Sequence, residues 1–141
     1  MYPILKNILA VLAAIFIGGS VNMALIMVSG SIIPPPEGAD LTTEEGLKAA
    51  MVLMEPKHFL FPFLAHALGT LVGALIVGFF AASHKLYLAM IIATLFFIGG
   101  FYMVMILPSP LWFNLTDLIL AYFPMAFLGV KLTSKRQNKE L

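Results

Sequence analysis

Four apolar runs, each long enough to cross a bilayer as a helix, constrain this chain more than any other feature. They cover approximately 8–33, 59–82, 86–107 and 111–130. A helix needs about 20 predominantly apolar residues to traverse the hydrocarbon core. In hydrocarbon the backbone must satisfy its own polar groups, so an isolated apolar run of this length is helical. Composition agrees, since 61% of the 141 residues are hydrophobic and 11% charged, too little polar surface for a soluble domain of this size. The expected fold class is an all-α integral membrane protein, one membrane domain over 1–141. Only Ser83-His84-Lys85 separates the second run from the third, and only Pro108-Ser109-Pro110 the third from the fourth. Links this short favour antiparallel neighbours, so an antiparallel four-transmembrane-helix bundle is expected.

Lys6 followed by an apolar run has the look of a signal peptide, but the run continues to Ile33. That is too long for a signal core, and it reads as a retained first span. Orientation follows from the basic residues of the short flanks. Lys6, Lys85 and the tail 131–141, with Lys131, Lys135, Arg136 and Lys139, share one side. The loop 34–58 takes the other, with Glu37, Asp40, Glu44, Glu45 and Glu55 set against Lys48 and Lys57. Both termini are therefore expected in the cytoplasm, with the chain in a plasma or inner membrane. Within the outer loop, Pro34-Pro35-Pro36 favours a stiff extended start. The stretch from Leu41 to Pro56 then reads as a short amphipathic helix. Thr42 and Glu45 have capping-box spacing, Glu44 and Lys48 pair at i,i+4, and Leu47, Ala50, Met51 and Met54 form an apolar face.

The polar residues inside the runs carry the functional information. His66 lies seven residues beyond Phe59 and Asp117 six beyond Leu111, each about 10 Å deep at helical rise. Tyr102 and Asn22 fall in the same outer layer when counted from the ends of their own runs. His66, Thr70 and Gly73 share one helical face, Gly69 and Gly73 make a GxxxG, and Asn114, Asp117 and Ala121 share a face of the fourth run. A small and polar stripe, Gly18, Gly19, Asn22 and Ser29, marks the first run. Turning these faces inward would bring His66 to Asp117, with Asn22, Thr70, Tyr102 and Asn114 around them. An Asp in a span costs about 2.5–3.5 kcal/mol at the helix centre, so it needs a proton or a partner. His66 is the one basic partner within the runs. A His–Asp pair can relay protons, orient a ring for a metal, or act as a general base. The bland alternative for each is structural: helix glue for the pair and for Asn22, an aromatic belt with Trp112 for Tyr102, and a helix start for Asn114.

Glu55 and His58 have the ExxH spacing of carboxylate metal sites, but Pro56 interrupts them and no second ExxH exists. A solvated acidic loop is the plainer reading. His84 beside Lys85 reads as a turn residue. The chain has no cysteine, a net charge of +1 and a single Arg, which removes thiolate chemistry and argues against a nucleic-acid partner. HExxH, GxSxG, P-loop and dinucleotide motifs are missing. Three functions remain compatible with the residues. The first is a transport- or channel-type protein or subunit moving protons, ions or a small solute. Four short spans enclose little, so this reading calls for a homo-oligomer or a partner membrane subunit, and the pairs Gly18–Gly19 and Gly99–Gly100 allow tight helix contacts. The second is a membrane-embedded enzyme acting on a lipid or quinone-like substrate. The third is a structural subunit of a membrane complex. The residues do not identify a cofactor.

Overall fold

A computed structural model describes residues 2–137. The regular elements of the described residues are all helical: α1 (Pro3–Ile32), α2 (Glu44–Met51), a 3-10 turn (Pro56–Phe59) running into α3 (Leu60–Phe80), α4 (Lys85–Ile106), α5 (Leu111–Leu120) and α6 (Phe123–Gln137). The segments Pro3–Ile32, Pro56–Phe80, Lys85–Ile106 and Leu111–Arg136 are each long and apolar enough to cross a membrane. Large apolar side chains point outward along all four, among them Phe16, Phe80, Ile98 and Ile119. Only 11% of the most apolar window of α1 is buried. A chain dissolved in water would hide this surface, whereas lipid solvates it.

The interior is built from small residues. α3 is central and packs against α1, α6 and α4 through Ala65, Gly69, Thr70, Gly73, Ala74, Val77 and Gly78, all buried. The GxxxG face meets α1 directly. A Cβ placed on Gly18 would lie 2.6 Å from the Gly69 carbonyl oxygen, and one on Gly69 would lie 2.9 Å from that of Gly18. The two backbones therefore touch, and dispersion between them takes the place of a hydrophobic driving force that lipid does not supply. At one end of this pair Asn7 ties α1 to the turn between α3 and α4. Its Oδ1 accepts from the Ala82 and Ser83 amides at 2.8 and 3.3 Å, and its Nδ2 donates to Ser83 Oγ at 3.1 Å. The turn closes with His84 in the left-handed region (φ 53°), as its place in a tight link requires.

Several boundaries differ from those expected. α1 begins at Pro3 rather than near Ile8 and so takes in Lys6, and the loop helix α2 covers Glu44–Met51 rather than the whole stretch from Leu41 to Pro56. The fourth run is not one helix: α5 stops at Leu120 and α6 starts at Phe123, with Ala121 and Tyr122 between. Pro124 explains the break, because its ring excludes the bond an amide there would give to the Leu120 carbonyl and crowds that carbonyl. Beyond 130, where a tail was expected, α6 continues to Gln137 and includes Lys131, Lys135 and Arg136; Lys139 lies outside the described residues. In the loop, Thr43 rather than Thr42 caps α2, its Oγ1 accepting from the Gly46 amide at 3.1 Å. Thr42 instead donates through both its amide and its hydroxyl to Asp40 Oδ1, at 2.8 and 2.6 Å. Lys48 does donate to Glu44 at 2.6 Å, and Ala50 is buried on the apolar face.

Candidate functional site

Two helices and the break that follows one of them meet at Asp117. α5 carries the carboxylate, α3 carries His66, and the break after α5 carries Tyr122. The carboxylate residue is 1% exposed. His66 Nδ1 lies 2.9 Å from both Oδ1 and Oδ2, the geometry of one N–H shared between two oxygens. The Tyr122 hydroxyl donates to Oδ2 at 3.1 Å. A buried acid thus receives two donors, which offsets much of the cost of removing it from water. From this bonding pattern the imidazole is assigned the Nδ1–H tautomer, leaving the Nε2 lone pair free. The rings of His66 and Tyr122 stack, centroids 5.7 Å apart, and Tyr122 meets Phe97 edge-on at 5.7 Å. These contacts fix the plane of the imidazole.

The other edge of His66 faces a cavity of about 410 Å³. Among the described residues Nε2 has no hydrogen-bond partner. Gly19 and Asn22 of α1 line one wall, and Leu95, Phe96, Gly99 and Tyr102 of α4 the other. α1 and α4 touch each other sparsely, and the cavity occupies the gap. Each Gly-Gly pair divides its work. Gly18 meets the α3 backbone and Gly100 meets the Tyr122 hydroxyl, whereas a Cβ on Gly19 or Gly99 would meet nothing within 4 Å. One glycine of each pair allows close packing and the other opens the cavity. Asn22 Oδ1 is buried without a hydrogen-bond partner among the described residues, although buried acceptors are normally satisfied.

Of the residues expected at the site, the structure therefore brings together His66, Asp117, Asn22 and Tyr102. The last is 61% exposed, at the open margin of the cavity. Thr70 is buried directly below, but its hydroxyl donates to the His66 carbonyl at 2.8 Å, a bond within the helix. Asn114 is engaged elsewhere: its Oδ1 accepts from Ser109 Oγ at 2.6 Å and its Nδ2 donates to the Ser109 carbonyl at 3.3 Å, fastening the start of α5. Ser29 back-bonds to the Ile26 carbonyl. Tyr122 was not singled out from the sequence. Five residues correspond to about 140° around a continuous helix, so Asp117 and Tyr122 would face apart had α5 and α6 been one. Pro124 was the available signal.

Glu55 and His58 meet, but through backbone. His58 Nδ1 accepts from the Glu55 amide at 2.9 Å and Nε2 lies 3.0 Å from the Pro34 carbonyl, while the Glu55 carboxylate pairs with Lys57 at 3.0 Å. Both imidazole nitrogens cap and tie the loop, and a metal would have to displace them. No group of three or more His, Asp or Glu side chains suited to a metal occurs among the described residues. The carboxyl groups of Asp40 and Glu55 are both held below their ordinary range, Asp40 by the Thr42 and Thr43 hydrogen bonds and Glu55 by Lys57.

No family model, curated protein or solved structure matches this chain.

Proposed function

We propose that this chain is a membrane protein of transport type, taking up a proton, ion or small solute at the His66–Asp117–Tyr122 cluster. In this reading its helices cross a plasma or inner membrane antiparallel, with both termini in the cytoplasm and the loop 34–58 outside. The observation that carries it is the two-sided setting of His66, with one nitrogen on a buried carboxylate and the other on an open cavity. A proton arriving at Nε2 converts the pair to imidazolium and carboxylate, a neutral couple that the low-dielectric surroundings tolerate. Its loss restores the starting state. Ionisable groups inside a span are costly and mark pathways more often than they mark packing. Four short spans enclose little, so this reading also calls for assembly with a second copy or a partner subunit.

Purified protein in liposomes with an entrapped pH dye tests this reading. The wild type is expected to collapse an imposed proton gradient faster than empty liposomes. Asp117→Asn is expected to return the rate to that of empty liposomes, with an unchanged subunit count by native mass spectrometry. Equal rates for wild type and variant would sink the proposal.

One observation favours a second reading, a membrane-embedded enzyme acting on a lipid or quinone-like substrate. The cavity sits between α1 and α4, where their contact is sparse, so a ligand dissolved in the bilayer could enter sideways. His66 would then be the general base. His66→Ala should remove turnover in that case.

A further inference from the structure

We infer that the cavity binds an amphiphile whose head donates hydrogen bonds, an O–H or N–H group on an apolar body. The inference rests on the reading of the His66 cluster as a ligand site, and it names the ligand class that such a site accepts.

The acceptor left open at the cavity is His66 Nε2. With Nδ1–H committed to Asp117, His66 presents the Nε2 lone pair. Asn22 also lines the cavity, but its unsatisfied Oδ1 is buried in the wall and its Nδ2 is the accessible end. Nε2 receives no donor from the protein, so a head that donates gains a hydrogen bond that a head without a donor cannot make. Charge points the same way. No Lys or Arg lines the cavity, and the nearest formal charge is the carboxylate behind His66. That carboxylate disfavours an anionic head such as phosphate, and it does not disfavour a neutral hydroxyl or a protonated amine.

The remaining walls suit an apolar body. Leu95, Phe96, Met103 and the ring of Tyr122 supply flat and flexible apolar surface. Gly19 and Gly99 leave room for it, since neither would meet anything through a Cβ. The volume, about 410 Å³, falls in the usual range for small-molecule sites, roughly 300–1,000 Å³.

Two head chemistries share this requirement, a phenolic or alcoholic hydroxyl and an ammonium, and matched probes separate them. Protein in nanodiscs is titrated with tritiated 4-pentylphenol and, separately, with tritiated hexylamine, and empty discs correct for partition into lipid. Each tracer is competed with its donor-free twin, 4-pentylanisole or trimethylhexylammonium. Saturable binding of at least one tracer is expected, with its twin competing at least about tenfold more weakly, as loss of a satisfied buried acceptor implies. The tracer that binds identifies the head. Gly99→Leu should abolish binding by filling the cavity, while a retained thermal midpoint shows that the fold is intact. Absence of saturable binding by either tracer overturns the inference. So does a twin competing within threefold, or binding that survives Gly99→Leu. These outcomes are independent of the flux assay. A protein that binds the donor probes without collapsing a gradient keeps the ligand class and loses the transport reading. One that collapses the gradient but binds neither probe does the reverse.

Discussion

Tyr122 shows how much a single side chain can owe to a defect in its own helix. Its hydroxyl reaches Asp117 Oδ2 only because the helix is interrupted one residue earlier, and Gly100 has no side chain where that hydroxyl sits. Replacing Tyr122 with Phe deletes one donor to a buried carboxylate and little else. The expected loss is about 1–2 kcal/mol, between the average for polar pairs in membrane helices and that for hydrogen bonds to charged groups. It is measured as a lowered unfolding midpoint in mild detergent, and an unchanged midpoint would remove Tyr122 from the cluster's energetics. At this scale the sequence was partly legible. An Asp and a His, each conspicuous in an apolar run, announce that they need partners, and their equal depth makes one the partner of the other. Asn22 and Tyr102 join them for the same reason. Tyr122 stays hidden because tyrosine is unremarkable in a span and because an unbroken helix would turn it away. Asn114 misleads in the opposite sense, since it shares a face with Asp117 but lies near enough to the chain reversal for Ser109 to claim it.

Among the elements, the long helices are set by apolar length, and their ends by proline and by side chains that satisfy exposed backbone. The break between α5 and α6 is the exception that length cannot reveal. Reading 111–130 as one span uses hydropathy alone, which is blind to the missing amide of Pro124. The short loop helix depends more on its cap than on its packing. α2 has eight residues, too few to persist through propensity alone, and Thr43 supplies the acceptor for Gly46. Thr43→Ala should cost the helix about 1 kcal/mol, read as roughly fivefold faster hydrogen exchange at the Gly46 amide. Unchanged exchange would assign the order of α2 to the burial of Ala50 instead. The sequence favoured Thr42 as cap because Glu45 follows it at capping-box spacing, whereas Gly46 follows Thr43 and has no side chain to complete that box. Asp40 decides against it by taking the amide and hydroxyl of Thr42 for its own turn.

At the scale of the whole molecule, the groups with shifted pKa values outside the spans lie in the loop 34–58. Asp40 has its folded pKa below the ordinary value of 3.8 because Thr42 and Thr43 bond its carboxylate. A depressed carboxyl contributes stability above its unfolded pKa and loses it as pH falls through the folded value. Glu55, lowered by Lys57 from 4.5, acts in the same direction. Lys48 acts in the opposite one: its pKa is raised above 10.5 by the Glu44 bond, so its contribution is present below 10.5 and lost as pH rises through the folded value. Loop order, followed by exchange at the Thr42 amide, should therefore hold across neutral pH and fail below about pH 4. The midpoint of unfolding of the long helices should not follow it there. Coincident loss of both would mean that the loop and the body unfold as one unit.

The distance along the chain between the two halves of the central pair has a consequence for how the protein is made. His66 precedes Asp117 by 51 residues, which is about 3–10 s of synthesis at typical rates. The histidine enters the membrane first and can do so as a neutral ring. The acid follows in the least apolar of the four segments, at mean hydropathy 1.5 against 2.0–2.3 for the others, and finds its partner already in place. The order of the residues places the costly arrival last, when something waits to receive it. In a translation-coupled insertion assay, His66→Leu should therefore lower the yield of the fourth segment even though it makes the second more apolar. An undiminished yield would mean that Asp117 enters protonated and meets His66 only afterwards.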